Sequence, residues 1–337
     1  MAAHLDQLTK PLGSLGRLEE LAIWAAGVQG KCPPQRFTAI HVIVVAGDHG
    51  VARSAGTSAY PVEVTAQMVA NIHSAGAAVS VLANSVGATL QVVDAGVATD
   101  YGDLPVPPGT PDRRIRAGSG SIDREDALTA AEVDTALGLG RTLAAEVVTQ
   151  GGDLLVVGDL GIGNTTAAAA LIAAMTDGDV VSATGRGTGI DDATWMRKAT
   201  AVRDALWRVR DDRSDPRLLL QRIGGPDLAV MTGLLLGATE QGLPVVLDGV
   251  VVTSAALVAQ RLLPEASQWW VAGHRSVEPA HTTALTELQL NPIVDLQMRL
   301  GEGTGALMAV PVLQAAIDLT RSMATFDSAG VSSSQEP

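Results

Sequence analysis

The chain has 337 residues, 47% hydrophobic but only 3% aromatic, and its 23 Lys and Arg against 36 Asp and Glu give a net charge of −13. That length fits one large α/β domain or a main domain with a smaller companion, and the Ala/Val/Leu-rich composition suits a buried parallel sheet covered by Ala-rich helices. The charge excludes a nucleic-acid or anionic-membrane partner, and the single cysteine, Cys32, excludes an intrachain disulfide framework or a thiolate metal cluster.

In chain order, MAAHLDQLTK has no charged segment leading into an apolar core and cleavage site, so no secretory signal is read and a cytoplasmic protein is expected. A first helix is predicted over about 15–28, and a strand over 41–45 that leads into AGDHG. Pro61, after Tyr60, suits the first turn of a helix running to about His73. A second strand over 90–93 leads into DAG, and the Pro-, Gly- and Arg-rich stretch 99–121 reads as a long loop. Thr129-Ala-Ala-Glu132 is a capping box opening a long helix. A third strand over 154–157 leads into GDLGIGN and a helix over 167–175; Asp191 and Asp192 then cap a helix that carries Lys198. The long apolar region 228–263 is broken by Glu240, Gln241, Gly242, Pro244 and Asp248, so it reads as helix, turn, strand (245–247) and helix rather than a membrane span. Glu302 precedes an apolar helix, and 326–337 reads as a disordered tail.

Strand, glycine-rich turn and Ala-rich helix thus recur, which predicts an α/β fold with a doubly wound, mainly parallel, Rossmann-like sheet. The loops after the four strands should gather into one site at their carboxyl ends. The main domain is expected over 36–290, with a small helical domain formed from both chain ends, 1–35 with 291–325.

Three glycine-rich segments can carry chemistry. In the run 158–166, Gly161, Ile162, Gly163, Asn164 and Thr165 enter a helix, so their amides either hold an anion or form a tight βα turn. The run lacks the Gly-Lys-Ser/Thr ending of an NTP loop and does not match the dinucleotide fingerprint, which argues against nucleotide hydrolysis and hydride transfer. Gly185, Arg186, Gly187, Thr188 and Gly189 offer a second anion loop or an exposed turn, and Lys198 is either its cation or a solvated lysine. Glu302, among glycines, is either a proton acceptor in a water-poor pocket or a carboxylate favoured by the helix dipole. Asp48, His49, Asp94, His274 and His281 are other polar positions; Gly273-His-Arg-Ser-Val-Glu-Pro-Ala-His281 is not a metal-ligand spacing, so orienting roles are expected and no metal site is assigned.

LTKPLGSLGRLE from Leu8, AGDHGVA from Ala46, Tyr60-Pro through Gln67-Met-Val, GDLGIGNTTAAAA from Gly158, GRGTGID from Gly185, GHRSVEPAH from Gly273 and MRLGEGTGA from Met298 resemble, in order and across almost the whole chain, the nicotinate-nucleotide:dimethylbenzimidazole phosphoribosyltransferase family. The resemblance implies a glycosyltransferase that moves phosphoribose from nicotinate mononucleotide to 5,6-dimethylbenzimidazole in cobalamin assembly, with no cofactor and with small molecules as its substrates. It implies Glu302 as catalytic base, Tyr60, Gln67 and Asp159 near the aromatic base, and the 161–165 and 185–189 loops with Lys198 on phosphate and ribose. A homodimer is implied as well. The chain departs from the family pattern at Asp159, where Glu is usual, and it begins closer to LTKPLGSLG than the family does, so a family N-terminal helix is expected to be missing. A same-fold transferase for adenine or a phenol, or a silent nucleotide-binding protein, are the alternative readings.

Overall fold

The computed structural model describes residues 1–106, 113–187 and 189–332. Its sheet has five parallel strands in the order β2-β1-β3-β4-β5: β1 Ile40–Gly47, β2 Thr89–Gly96, β3 Leu154–Leu160, β4 Val245–Leu247 and β5 Trp270–Ala272. Four of these lie where the apolar runs placed them. The fifth, β5, went unread: as short as β4, it lacks the Val/Leu run leading into an Asp-Gly turn that marked β4.

Alternation along β1 divides the core. Ile43 and Val45 face a layer built on the helices Ala130–Thr149, Asn164–Thr176, Pro226–Glu240 and Val250–Leu262. Val42 and Val44 face the other layer, where the helices Arg17–Gln29, Glu63–His73 and Thr304–Ser322 pack. Both faces are therefore covered, as a parallel sheet with apolar strands requires. The two chain ends meet on the second face: Thr9 donates its amide to Ala324 O at 3.0 Å, and Phe326 donates to Gln7 O at 3.0 Å.

The capping box at Thr129 is formed as written, with Glu132 answering the Thr129 amide at 2.7 Å. The expected tail differs from the structure at its start. Phe326–Ala329 makes one helical turn because Thr325 and Ser328 cap one another; residues 333–337 lie outside those described. Among the described residues no helix is long and apolar enough to cross a membrane.

With β1 in the interior of the order and its neighbours β2 and β3 continuing on opposite sides, the chain reverses direction across the sheet between β1 and β3. A crevice opens at the carboxyl ends of strands at such a point. Asp48 ties it together: its carboxylate accepts from Ala98 N after β2 at 2.8 Å, from Ile162 N after β3 at 3.1 Å, and from the Thr65 hydroxyl.

Candidate active site

A cavity of about 380 Å³ occupies that crevice. Tyr60, Val64 and Met68 line it from the segment that enters the helix Glu63–His73, and Leu160, Val251 and Leu300 add apolar wall. This is a surface for a flat aromatic ring. Polar groups reach it from separate elements: Asp159 near the end of β3, Thr165 in the first turn of the helix Asn164–Thr176, Lys198 on the helix Asp192–Arg208 and Glu302 on the loop before Thr304–Ser322.

Glu302 sits between Gly301 and Gly303, and all three residues have positive φ, Glu302 at 63°. A non-glycine residue in that region is held there by its surroundings. The Glu302 amide donates to Asp159 O at 2.9 Å, and β3 passes so near that a Cβ on Gly158 would fall 2.4 Å from the Glu302 carbonyl carbon. Asp248, after β4, accepts from Gly303 N at 3.0 Å and from Ala306 N at 2.8 Å, capping the helix Thr304–Ser322 that Gly303 has no side chain to cap. The Glu302 side chain is 4% exposed and its Oε2 has no hydrogen-bond partner. Burial, followed by the Asp248 charge, pushes its carboxyl up to about 7.

Asp159 is buried beside it. Burial, then Asp248, Asp227 and Glu302 in that order, raise its carboxyl well above the carboxylate range, against the Asn164 amide that donates to Oδ2 at 2.9 Å. A carboxyl so placed favours its protonated form far more than a solvated one does.

The glycine-rich run 158–166 does enter a helix. Gly163 is the N-cap of Asn164–Thr176 and offers no side-chain cap; Gly161, Ile162, Gly163, Asn164 and Thr165 line the cavity, with the Ile162 amide taken by Asp48 and the Thr165 amide by Asn164 Oδ1 at 2.8 Å. Lys198 is 1% exposed, which removes the solvated-lysine alternative; its ammonium donates to Thr165 Oγ1 at 2.9 Å. Burial draws it down to about 8, opposed by Glu278.

The other expected residues divide. Gly187 and Arg186 line the cavity, but the Arg186 guanidinium is engaged by its own loop, donating to Ile190 O at 2.9 Å and to Asp192. Gly185 lies behind, against Glu278, and Gly189 nears Arg299 instead of the cavity; Thr188 lies outside the described residues. Gln67 is exposed and off the cavity wall, because Val64 and Met68, one helical turn apart, take the inward stripe. This corrects the placement of Gln67 beside the ring-binding surface.

Asp94 and His49 orient loops. Asp94 Oδ2 accepts from Arg114 at 2.8 Å and Tyr101 at 3.0 Å. His49, fully buried, bonds Asp227 at 3.0 Å; burial would lower it, but Asp227 and then Asp48 carry it above its usual value. His281 accepts from Ser276 N at 2.9 Å on Nδ1, and burial, then His274 and Arg275, take it down to about 3. Among the described residues no group of three or more His, Cys, Asp or Glu is arranged to hold a metal ion. Sequence reasoning assigned no site role to Asp248, Ser276, Glu278 or Arg299, which bring polar groups to the site from segments without periodicity; Ser276 and Glu278 lay inside GHRSVEPAH and Arg299 inside MRLGEGTGA, the signal that could have found them.

The family model described as phosphoribosyltransferase matches residues 1–331. A nicotinate-nucleotide–dimethylbenzimidazole phosphoribosyltransferase of Mycobacterium tuberculosis is 56% identical over 330 residues, 98% of this chain and 90% of that protein. The enzyme of the same name from Mycobacterium avium is 54% identical over 330 residues, 98% of this chain and 93% of that protein. The crystal structure of CobT from Thermus thermophilus superposes with a TM-score of 0.93 at 42% identity, covering 98% of both chains.

Proposed function

Since the chain belongs to the nicotinate-nucleotide:dimethylbenzimidazole phosphoribosyltransferase family, we infer that it transfers phosphoribose from nicotinate mononucleotide to 5,6-dimethylbenzimidazole, releasing nicotinate and forming α-ribazole 5′-phosphate for cobalamin assembly. A ring nitrogen of the base attacks the anomeric carbon on the face opposite nicotinate. The new C–N bond forms as the old one breaks, and the electron pair of the broken bond returns to the pyridine nitrogen. The second base nitrogen must then lose its proton.

Glu302 is the proposed acceptor of that proton. The observation that carries this assignment is its buried Oε2, without a partner in the cavity wall, on a carboxyl raised to about 7 and so matched to a proton transfer near neutrality. Protonated Asp159 is the proposed neutral neighbour of the base, with Tyr60 on the apolar wall; Gln67 faces solvent and is given no contact. The run Gly161–Thr165, the Gly187 turn and Lys198 are proposed to hold phosphate and ribose, supported by the place of that helix N-terminus on the cavity wall and by the buried ammonium. Positioning the two reactants in line supplies the remaining rate enhancement.

The test is nicotinate release with and without 5,6-dimethylbenzimidazole, for the protein and for Glu302→Gln. Base-dependent release that drops by about 10²–10⁴-fold in the variant, with nucleotide affinity little changed, is expected for loss of a general base. Equal turnover would remove Glu302 from this role.

A homodimer in the cytoplasm is the proposed assembly, and 1–35 with 291–325 the proposed helical companion of 36–290. The docking of the helix Arg17–Gln29 on Thr304–Ser322 supports the latter. Sedimentation equilibrium reads the assembly directly.

A further inference from the structure

One buried acid among the cavity-lining residues stands apart from the proton-accepting group. Glu278 is 7% exposed and sits on the nucleotide side of the chemistry, just before the helix Pro279–Glu287. A carboxylate there repels a phosphate and costs energy to bury, so its retention needs a use. Its contacts describe one. Oε1 accepts from Gly187 N at 2.8 Å, while Arg299 donates to Gly187 O at 2.5 Å from the other side of the same residue. Gly185 approaches so closely that a Cβ there would fall 2.0 Å from Glu278 Oε2. A Cβ on Gly187 would lie 3.3 Å from Lys198 Nζ and 3.0 Å from Thr165 Oγ1, so the gripped turn stands directly over the buried ammonium. Glu278 is fixed in turn: its amide donates to Ser276 Oγ at 3.3 Å, and the Ser276 amide to His281 Nδ1 at 2.9 Å.

We propose that Glu278 is a positioning residue for the nucleotide, clamping the Gly185–Gly187 turn against Lys198 so that the phosphate-binding part of the site is shaped before substrate arrives. This rests on the phosphoribosyl transfer inferred above. Preorganising a loop reduces the ordering cost that binding would otherwise meet. The carboxylate also offsets the burial of Lys198, which draws the ammonium down to about 8 while Glu278 opposes it. Of the other cations at this cavity, Arg299 is committed to the Gly187 carbonyl and Arg186 to Asp192 and Ile190. Lys198 is therefore the cation that the clamp serves.

The experiment compares Glu278→Ala and Glu278→Gln with the unaltered protein in two assays: steady-state transfer with varied nicotinate mononucleotide at saturating 5,6-dimethylbenzimidazole, and calorimetric binding of nicotinate mononucleotide alone. Glu278→Ala loses the clamp, and KM and Kd for the nucleotide are expected to rise on the order of tenfold with kcat within about threefold, the loss expected for one charge-assisted hydrogen bond. Glu278→Gln keeps an oxygen for the Gly187 amide and should recover most of the affinity at pH 6.5. Without the negative charge, its affinity should fall away at lower pH on the alkaline side than that of the unaltered protein. A fall in kcat with KM and Kd unchanged, or a Glu278→Gln affinity profile that coincides with the unaltered one from pH 6 to 9, overturns the proposal. Binding is read without turnover, so a protein that binds the nucleotide but transfers nothing defeats the inferred reaction while the clamp is still decided.

Discussion

Glu302 occupies a left-handed backbone conformation, which costs a residue with a side chain about 1–3 kcal/mol. Asp159 O and Asp248 hold it there through the amides on either side, and the strained backbone aims the carboxylate into the cavity. To accept a proton it must be ionised, and burial with Asp248 beside it puts that ionisation at about 7 instead of the ordinary 4.5. Transfer measured as kcat/KM should therefore fall as pH drops through about 7, and a profile that stays flat to pH 5.5 would show that another group takes the proton. Asp159 has the opposite consequence for the fold. Its carboxyl is raised by burial and by three neighbouring acids, so folding favours the protonated form there. The stability this proton gives is present in acid and is lost as pH rises. Asp159→Asn, which keeps an acceptor for Asn164 and needs no proton, should raise Tm at pH 8 by a few degrees, about 2 °C per kcal/mol for a chain of this size, with the gain vanishing near pH 3.5. Differential scanning calorimetry at both pH values decides it. The residues alone left Glu302 open between a proton acceptor and a carboxylate favoured by the helix dipole, and only the family resemblance of MRLGEGTGA singled it out as the base. Gln67 was misplaced because quoting a motif does not give the phase of its helix, and one residue moves a side chain by about a quarter of a turn.

At the scale of elements, β3 and the segment that carries Glu302 touch through backbone alone. A methyl at Gly158 would stand 2.4 Å from the Glu302 carbonyl carbon, with no flexible side chain to yield. Gly158→Ala should destabilise the fold by about 1–3 kcal/mol, the usual cost of overpacking, and displace Glu302 enough to lower turnover by about 10²-fold. Urea unfolding and transfer assays read the two effects separately; a variant with both unchanged would mean that β3 and Glu302 do not press on one another. The sequence announced β1 to β4 through Val- and Ile-rich runs ending in glycine turns. It was silent about how strands pair, since the order β2-β1-β3-β4-β5 depends on crossovers that no local pattern encodes. Asp248 shows the same limit. Its partners Gly303 and Ala306 lie more than fifty residues away, and a cap supplied from another loop leaves no mark near the helix it caps.

For the whole molecule, a charge of −13 works against the approach of an anionic substrate to the buried Lys198 ammonium proposed to help hold it. Salt screens the distant surface charges, while the buried Lys198 contact is screened far less. Between 10 and 150 mM NaCl, kcat/KM for nicotinate mononucleotide should rise by about two- to threefold; a decrease would mean that exposed cations guide the approach. The placement of the segments in the chain has one more outcome. The proposed proton acceptor is Glu302, while the carbonyl that accepts its amide belongs to Asp159 and the carboxylate that caps the following helix to Asp248. Three parts of the chain far apart in sequence must therefore meet before Glu302 is aimed, and until the helix Thr304–Ser322 docks, the Asp248 carboxylate lacks the Gly303 and Ala306 amides. Docking of that helix and arming of the proposed base are thus one event: whatever loosens the helix also frees the Glu302 carboxylate.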